Sequence, residues 1–297
     1  TGGTQNINAG AIAKNTTVNA DGVQNINSGA TAKGVHINLG GVQNVNDGGV
    51  ANINFINDGA IQNVKSGGSA ENNTVSSGGS QNIEEGGYAY GNIISLGGMQ
   101  IVAQGGVASH NELNGGAQNI ASGGTADYTT VNSGSEQNIN NGVTADHNTI
   151  NNGGVQNVNN GGTAGTNTIN DGGVQNVNSG SEVYNTTVNS GGVQNINDGG
   201  TATNNTINSS GLQNINNGGL GINNNVNSGG TQHIFNGGTG YDNKIENGGT
   251  QIVDEGGVTV SATVISGGTA DVGSGGVEEG TNLGKDGTEI VSSGGET

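Results

Sequence analysis

Aliphatic residues recur along this chain at two fixed places in a frame of nineteen residues. Each frame opens on a glutamine. The glutamines run Gln5, Gln24, Gln43, Gln62, Gln81 and Gln100, take one eighteen-residue step to Gln118, and continue by nineteens from Gln137 to Gln251. Two residues after each glutamine stands the first aliphatic, as in Ile26, Val45, Val158, Val177 and Ile196. Thirteen residues after it stands the second, as in Ile37, Ile56, Ile150, Ile169 and Val188. A small residue, most often alanine (Ala32, Ala51, Ala70, Ala164, Ala202), lies eight residues after the glutamine. Glycine pairs separate these segments. Short apolar runs between glycine-rich turns predict β-strands, and no apolar stripe of helical period appears.

One repeat cannot fold alone, because it offers only one or two aliphatic side chains to each short strand. Stacked repeats place Ile over Val over Ile and build a thin continuous core, which is the logic of a solenoid. The predicted fold is all-β, a right-handed parallel β-helix with about one coil per 19-residue repeat. A half-repeat would close too tightly to hold two opposed aliphatics. Nineteen extended residues give a perimeter of roughly 60 Å, enough for two or three faces, and sixteen coils at about 4.8 Å would span roughly 77 Å. Residues 1–297 are read as one repeat domain, regular over 1–256 and divergent over 257–297. There Ala270 and Glu289 take the glutamine slot and Val272, Leu283 and Val291 keep the aliphatic ones.

Parity in a strand puts each glutamine on the same side as the aliphatic two residues on. Gln43, Gln62, Gln81, Gln156, Gln175, Gln194 and Gln213 are therefore expected to form an inward amide ladder, each side chain bonding to the next coil. Asn54, Asn73, Asn92, Asn111, Asn148, Asn167, Asn205, Asn224 and Asn243 form a second column eleven residues after the glutamine. Both columns are read as satisfying buried polar groups rather than binding a ligand. Further asparagines follow the aliphatics, as in Asn27, Asn46, Asn178, Asn189 and Asn208. An Asn-x-Gly-Gly run suits a turn with positive φ. Proline is absent, as expected where every strand donates hydrogen bonds to both neighbours.

Composition narrows the function. Hydrophobic residues make up 29% and aromatic residues 2%, too little for a large globular core, yet the periodic Ile and Val argue against disorder. Five lysines and no arginine against 23 acidic residues give a net charge of −18, which excludes nucleic acid and disfavours anionic lipid. No apolar run approaches the roughly 20 residues of a membrane span. Without cysteine there is neither disulfide nor thiolate site. No signal peptide is visible, so Thr1 is read as opening a mature fragment, and neither end carries a recognisable cap.

Candidate chemistry is sparse. His110 and His147 share a frame position two coils apart, about 10 Å at strand spacing, while His36 and His233 fall elsewhere. Gly237–Asp242 resembles a single calcium-binding nonapeptide, with Lys244 where an aliphatic should follow. Glu84 with Glu85, and Glu278 with Glu279, are adjacent and would point to opposite sides of a strand. The paired carboxylates of a polysaccharide-cleaving β-helix are not in evidence, so we expect neither catalysis nor a cofactor.

The unit Gly-Gly-Val-Gln-Asn-Val-Asn-x-Gly-Gly-x-Ala-x-x-Asn-Thr-Ile-Asn, clearest over residues 153–170, 172–189 and 191–208, resembles the repeat of self-associating autotransporter adhesins. These are the family of the adhesin involved in diffuse adherence. The resemblance implies a secreted passenger displayed on the outer surface of Gram-negative cells, with roles in adhesion, auto-aggregation and biofilm formation. It implies like chains and a host or bacterial surface receptor or glycan as partners. It also implies a glycosyltransferase that places O-linked heptose on turn serines. The matching positions are Ser28, Ser66, Ser122 and Ser179 in the first turn, and Ser77, Ser133, Ser190, Ser228 and Ser266 in the second. Asp47, Asn160, Asp171 and Asn217 occupy equivalent slots. A structural spacer or self-assembling extracellular fibre without a specific receptor is the alternative reading.

Overall fold

The computed structural model describes residues 2–246 and 248–297; Thr1 and Asn247, and with Thr1 the reading of a mature start, lie outside them. The chain divides into two units, residues 1–148 and 149–297. Both are parallel β-solenoids with three short strands in most coils and no helix among the described residues.

In the first unit, four-residue strands stack from Thr4–Ile7 to Glu136–Ile139. Three-residue strands stack from Ile12–Lys14 to Thr125–Asp127, and a third sheet runs from Thr17–Val18 to Thr130–Val131. The second unit repeats the plan, with first strands from Val155–Val158 to Thr288–Val291. Within each sheet of a unit, neighbouring strands are equivalents one repeat apart and pair in parallel: Val174–Val177 sits on Val193–Ile196 with Gln175 opposite Gln194 and Val177 opposite Ile196. One repeat is thus one coil. The eighteen-residue repeat keeps this register, Gln100 opposite Gln118 and Val102 opposite Ile120. The missing residue comes out of the second turn, where Asn114 runs directly into Gly115 and Gly116. The divergent segment stays in register too, with Ala270 opposite Glu289 and Val272 opposite Val291.

Alternation within each strand decides what is inside. Val193–Ile196 reads partly exposed, buried, partly exposed, buried, so Gln194 and Ile196 face in while Val193 and Asn195 face out. Ile26, Val45, Val158, Val177 and Ile196 are fully buried, as are Ile37, Ile56, Ile169 and Val188 on the third strands. Each such side chain contributes about 1.5–3 kcal/mol by leaving water. The alanine column (Ala32, Ala51, Ala70, Ala164, Ala202) is equally buried. Where it thins to glycine, neighbours fill the space: a Cβ on Gly221 would lie 2.5 Å from Ile215 Cδ1.

The chain turns three corners per coil. Two are four-residue turns closed by a backbone bond, such as Gly49 N–H to Asn46 O at 2.8 Å. Their third residue has positive φ, as in Gly48 at 67°, which is where a type II turn requires it. The positive φ thus falls on the first glycine of the pair, not on the asparagine two residues earlier. Where that glycine is replaced, Asp21, Ser210 and Asp286 take the positive φ at 59°, 56° and 60°, and at Asn160–Gly161 and Ser266–Gly267 both central residues are positive. An asparagine that opens the turn stacks instead, as Asn46 does on Asn27 at 3.0 Å.

The third corner carries no glycine pair, and glycine holds it only at Gly34, Gly91 and Gly280. It lies ten residues after the glutamine slot, and in the other coils it falls on Asn15, Ile53, Asn72, His110, Tyr128, His147, Thr166, Asn185, Asn204, Asn223, Asp242 and Ser261, all with φ between 50° and 59°. A left-handed conformation costs a β-branched residue about 1–2 kcal/mol. We therefore expect Thr166→Asn to stabilise the second unit by about 1 kcal/mol, read as a higher urea midpoint at unchanged slope.

Candidate adhesive surface

The interior amides fix the scaffold on which the surface is built. Gln175 Nε2 donates to Gln156 Oε1 at 2.6 Å, Gln194 to Gln175 at 2.8 Å and Gln213 to Gln194 at 2.8 Å. Gln43, Gln62 and Gln81 do the same in the first unit, at 2.6, 2.6 and 2.7 Å. Every Nε2 points toward the preceding coil. The asparagine column works differently. Asn54 N–H donates to Asn73 Oδ1 at 2.7 Å, and Asn205 N–H to Asn224 Oδ1 at 2.8 Å. The left-handed corner just before this residue turns its N–H out of the strand ladder, and the next coil's side chain accepts it. The Nδ2 then donates to the glutamine of its own coil, as Asn205 does to Gln194 Oε1 at 3.4 Å, or to a backbone carbonyl, as Asn73 does to Ala51 O at 3.3 Å.

Outside, asparagines form three further rows. On the first strand, Asn176, Asn195 and Asn214 each donate Nδ2 to the Oδ1 below, at 2.9, 3.0 and 2.9 Å. After it, Asn178, Asn197 and Asn216 do so at 2.8, 2.8 and 2.9 Å. After the third strand, Asn170, Asn189, Asn208 and Asn227 follow at 2.9, 3.0, 3.1 and 3.2 Å. An amide held by both neighbours keeps one N–H and one lone pair for an outside partner, in a fixed orientation. The surface is thus an ordered polar grating with strand spacing.

The two turn ridges flank these rows. Ser28, Ser66, Ser122 and Ser179 are exposed on one, and Ser77, Ser133, Ser190, Ser228 and Ser266 on the other. The hydroxyls of Ser28, Ser66, Ser77, Ser122 and Ser179 stand beside a glycine of the next coil, whereas Ser210 and Asp286 follow Ser190 and Ser266 in their rows. A Cβ on Gly48 would lie 2.7 Å from Ser28 Oγ, and one on Gly97 would lie 3.0 Å from Ser77 Oγ. Those glycines leave the serines uncovered. Ser209 and Ser274 are exposed on the same ridges and went unmarked in the sequence reading; the frame position alone would have found them.

The histidines do not gather. Tyr128 stands between His110 and His147, its ring centroid 4.8 Å from each, and Tyr90 extends the row at 5.1 Å from His110. His36 stacks on Phe55 at 4.7 Å, and His233 Nε2 meets Asp254 Oδ2 at 2.8 Å. Asp127, beside the aromatic row, has its carboxyl pushed up by burial, against the lowering effect of the bond from Asp146 N–H. Gly237 and Gly238 form an ordinary second-glycine turn and Asp242 the left-handed corner of that coil. Glu84 and Glu85 both face solvent because they lie in a turn, whereas Glu278 is buried and Glu279 exposed, as strand parity requires. Among the described residues no three His, Asp or Glu side chains form a metal cluster, and no helix is long and apolar enough to cross a membrane.

No protein-family model and no curated protein sequence matches the chain. A solved structure does. The chain is similar to the crystal structure of a TibA fragment hyper-glycosylated by TibC catalysis, with 36% sequence identity and a TM-score of 0.83. The match covers 94% of this chain and 99% of that one. The fold agrees over nearly the whole length, and this chain belongs to the family of autotransporter adhesin passengers.

Proposed function

We propose that this chain is displayed outside a Gram-negative cell as the adhesive part of an autotransporter, holding cells to one another and to receptor or glycan surfaces. The observation that supports this most is the ordered outward grating of asparagine, flanked by ridges of uncovered serine. Individual amide contacts in water contribute little. Repetition at strand spacing lets many act together, so attachment grows with the number of coils engaged. The absence of arginine and the excess of acid make the attraction short-ranged and polar rather than electrostatic. A fibre or spacer without a receptor would use the same coils but would need no presented serines.

The serines give the reading a second partner. TibA, the similar protein, carries sugar placed by TibC. We infer that a glycosyltransferase of that kind modifies Ser28, Ser66, Ser122 and Ser179, together with Ser77, Ser133, Ser190, Ser228 and Ser266. The exposed corners lie outside the strand ladders, so a sugar added there disturbs no backbone bond.

Display of the chain on non-adherent Gram-negative cells, with and without co-expressed TibC, tests both parts. Displaying cells should sediment as aggregates and form thicker biofilm than parent cells. Intact mass should rise by heptose increments only with the transferase, and alanine at the nine serines should remove most of that increment. Displaying cells that stay dispersed and bind no surface would reduce the chain to a spacer.

A further inference from the structure

The amide column ends inside the second unit in a way that leaves oxygen atoms without donors. In the regular coils a glutamine carbonyl accepts two bonds: Gln194 Oε1 accepts from Gln213 Nε2 and from Asn205 Nδ2. Gln251 has neither. Its partner in the next coil is Ala270, and Ala262 stands where its own coil should offer an asparagine. Both alanines are buried among the third-strand aliphatics. Gln251 Oε1 is enclosed and has no hydrogen-bond partner.

Acidic residues enter the same interior at the next two positions. Glu278 takes the small-residue slot, in register with Thr259, and is fully buried. Glu289 takes the glutamine slot, in register with Ala270. Thr281 Oγ1 donates to Glu278 Oε1, but Glu278 Oε2, Glu289 Oε1 and Thr259 Oγ1 have no partner among the described residues. Among the described residues no cation answers them. Lys285 is exposed and Lys244 is paired with Glu246 at 2.9 Å. Glu279 points out to solvent, and Glu296 contributes only its backbone carbonyl, to Glu278 N–H at 2.8 Å.

The buried Glu278 carboxylate, the partly buried Glu289 carboxylate and the Gln251 carbonyl each hold one enclosed oxygen without a donor, and such oxygens are what a hard cation takes as ligands. We propose that Glu278, Glu289 and the Gln251 carbonyl bind a calcium ion within the last coils. The donor set is oxygen only, which suits calcium and excludes metals that require nitrogen or sulfur. Two carboxylates balance a divalent charge. Calcium accepts irregular shells of six to eight oxygens, so backbone carbonyls or water complete it, whereas magnesium demands a tighter octahedron. Burial, and the neighbouring charge of Glu289, hold the Glu278 carboxyl above its ordinary value, against the lowering bond from Thr281. A proton is therefore the competing occupant.

Hydrogen exchange of the whole chain, in calcium and in chelator at pH 7, decides between them. Calcium should slow exchange over residues 269–291 roughly tenfold once it exceeds its dissociation constant about tenfold, and leave residues 2–148 unchanged. Magnesium should do much less. Glu278→Gln should remove the calcium effect while keeping the strand circular dichroism, and Glu289→Gln should raise the calcium concentration required. Equal exchange in calcium and chelator, with Glu278→Gln more protected than the parent at pH 7, would overturn the proposal and assign the site to a proton. The adhesion reading does not depend on this site, so either result leaves the aggregation assay standing.

Discussion

Gln194→Ala is expected to destabilise the second unit by about 4 kcal/mol, the largest effect of any single substitution considered. Gln194 is fully buried, donates to Gln175 Oε1 at 2.8 Å, and accepts from Gln213 Nε2 at 2.8 Å and Asn205 Nδ2 at 3.4 Å. Truncation strands an acceptor below and donors above, at about 1–3 kcal/mol each, and the lost volume adds to that. Urea unfolding measures the total. Hydrogen exchange locates it, with faster exchange in Val174–Val177 and Leu212–Ile215 than in residues 2–148. Gln194→Glu should be less harmful at low pH than at pH 7. A protonated carboxyl can still donate to Gln175 Oε1, whereas a carboxylate cannot. Loss of less than 1 kcal/mol for the alanine variant would mean that the interior amides are spectators.

Ile196→Ala is the second large expectation, at about 3 kcal/mol. Ile196 is fully buried between Val177 and Ile215 in a column one side chain wide. A solenoid coil has few other side chains to move into the gap, so relaxation is limited. The adjacent Asn195→Ala provides the contrast. Asn195 faces out, bonds only to its row neighbours, and should cost less than 1 kcal/mol. Equal losses at the two positions would contradict the inside–outside assignment.

The coil itself was legible because a period of nineteen admits few other solutions. Strand parity placed Gln175 and Val177 on one side, and register placed Gln175 opposite Gln194. Three features were not legible, for physical reasons. The third corner has no fixed residue type and only an occasional single glycine, such as Gly34 or Gly91. Asn, His, Tyr, Thr and Ile all occupy it, and only the backbone angle of Thr166 or Ile53 reveals it. The role of Asn205 followed from that corner, because its Oδ1 caps a backbone N–H that a regular strand would have satisfied. The aromatic row was hidden because its members come from different residue types. His110 and His147 share a slot in the sequence frame, but only the structure shows Tyr128 inserted between them. The serine ridges were found through the resemblance, yet Ser209 shows that frame position is the better guide.

The amide rows all run in one direction, each Nδ2 reaching back and each Oδ1 reaching forward. A row is therefore a line of aligned dipoles, and any interruption exposes two unlike tips. Asn216 turns a carbonyl toward Phe235, and on the first-strand row Asn82 presents a carbonyl and Asn119 an amide toward Ile101. Substitutions that look like decay of the repeat thus write signed marks onto an otherwise uniform face. A partner can use such marks to take up one alignment along the coils and refuse the reverse.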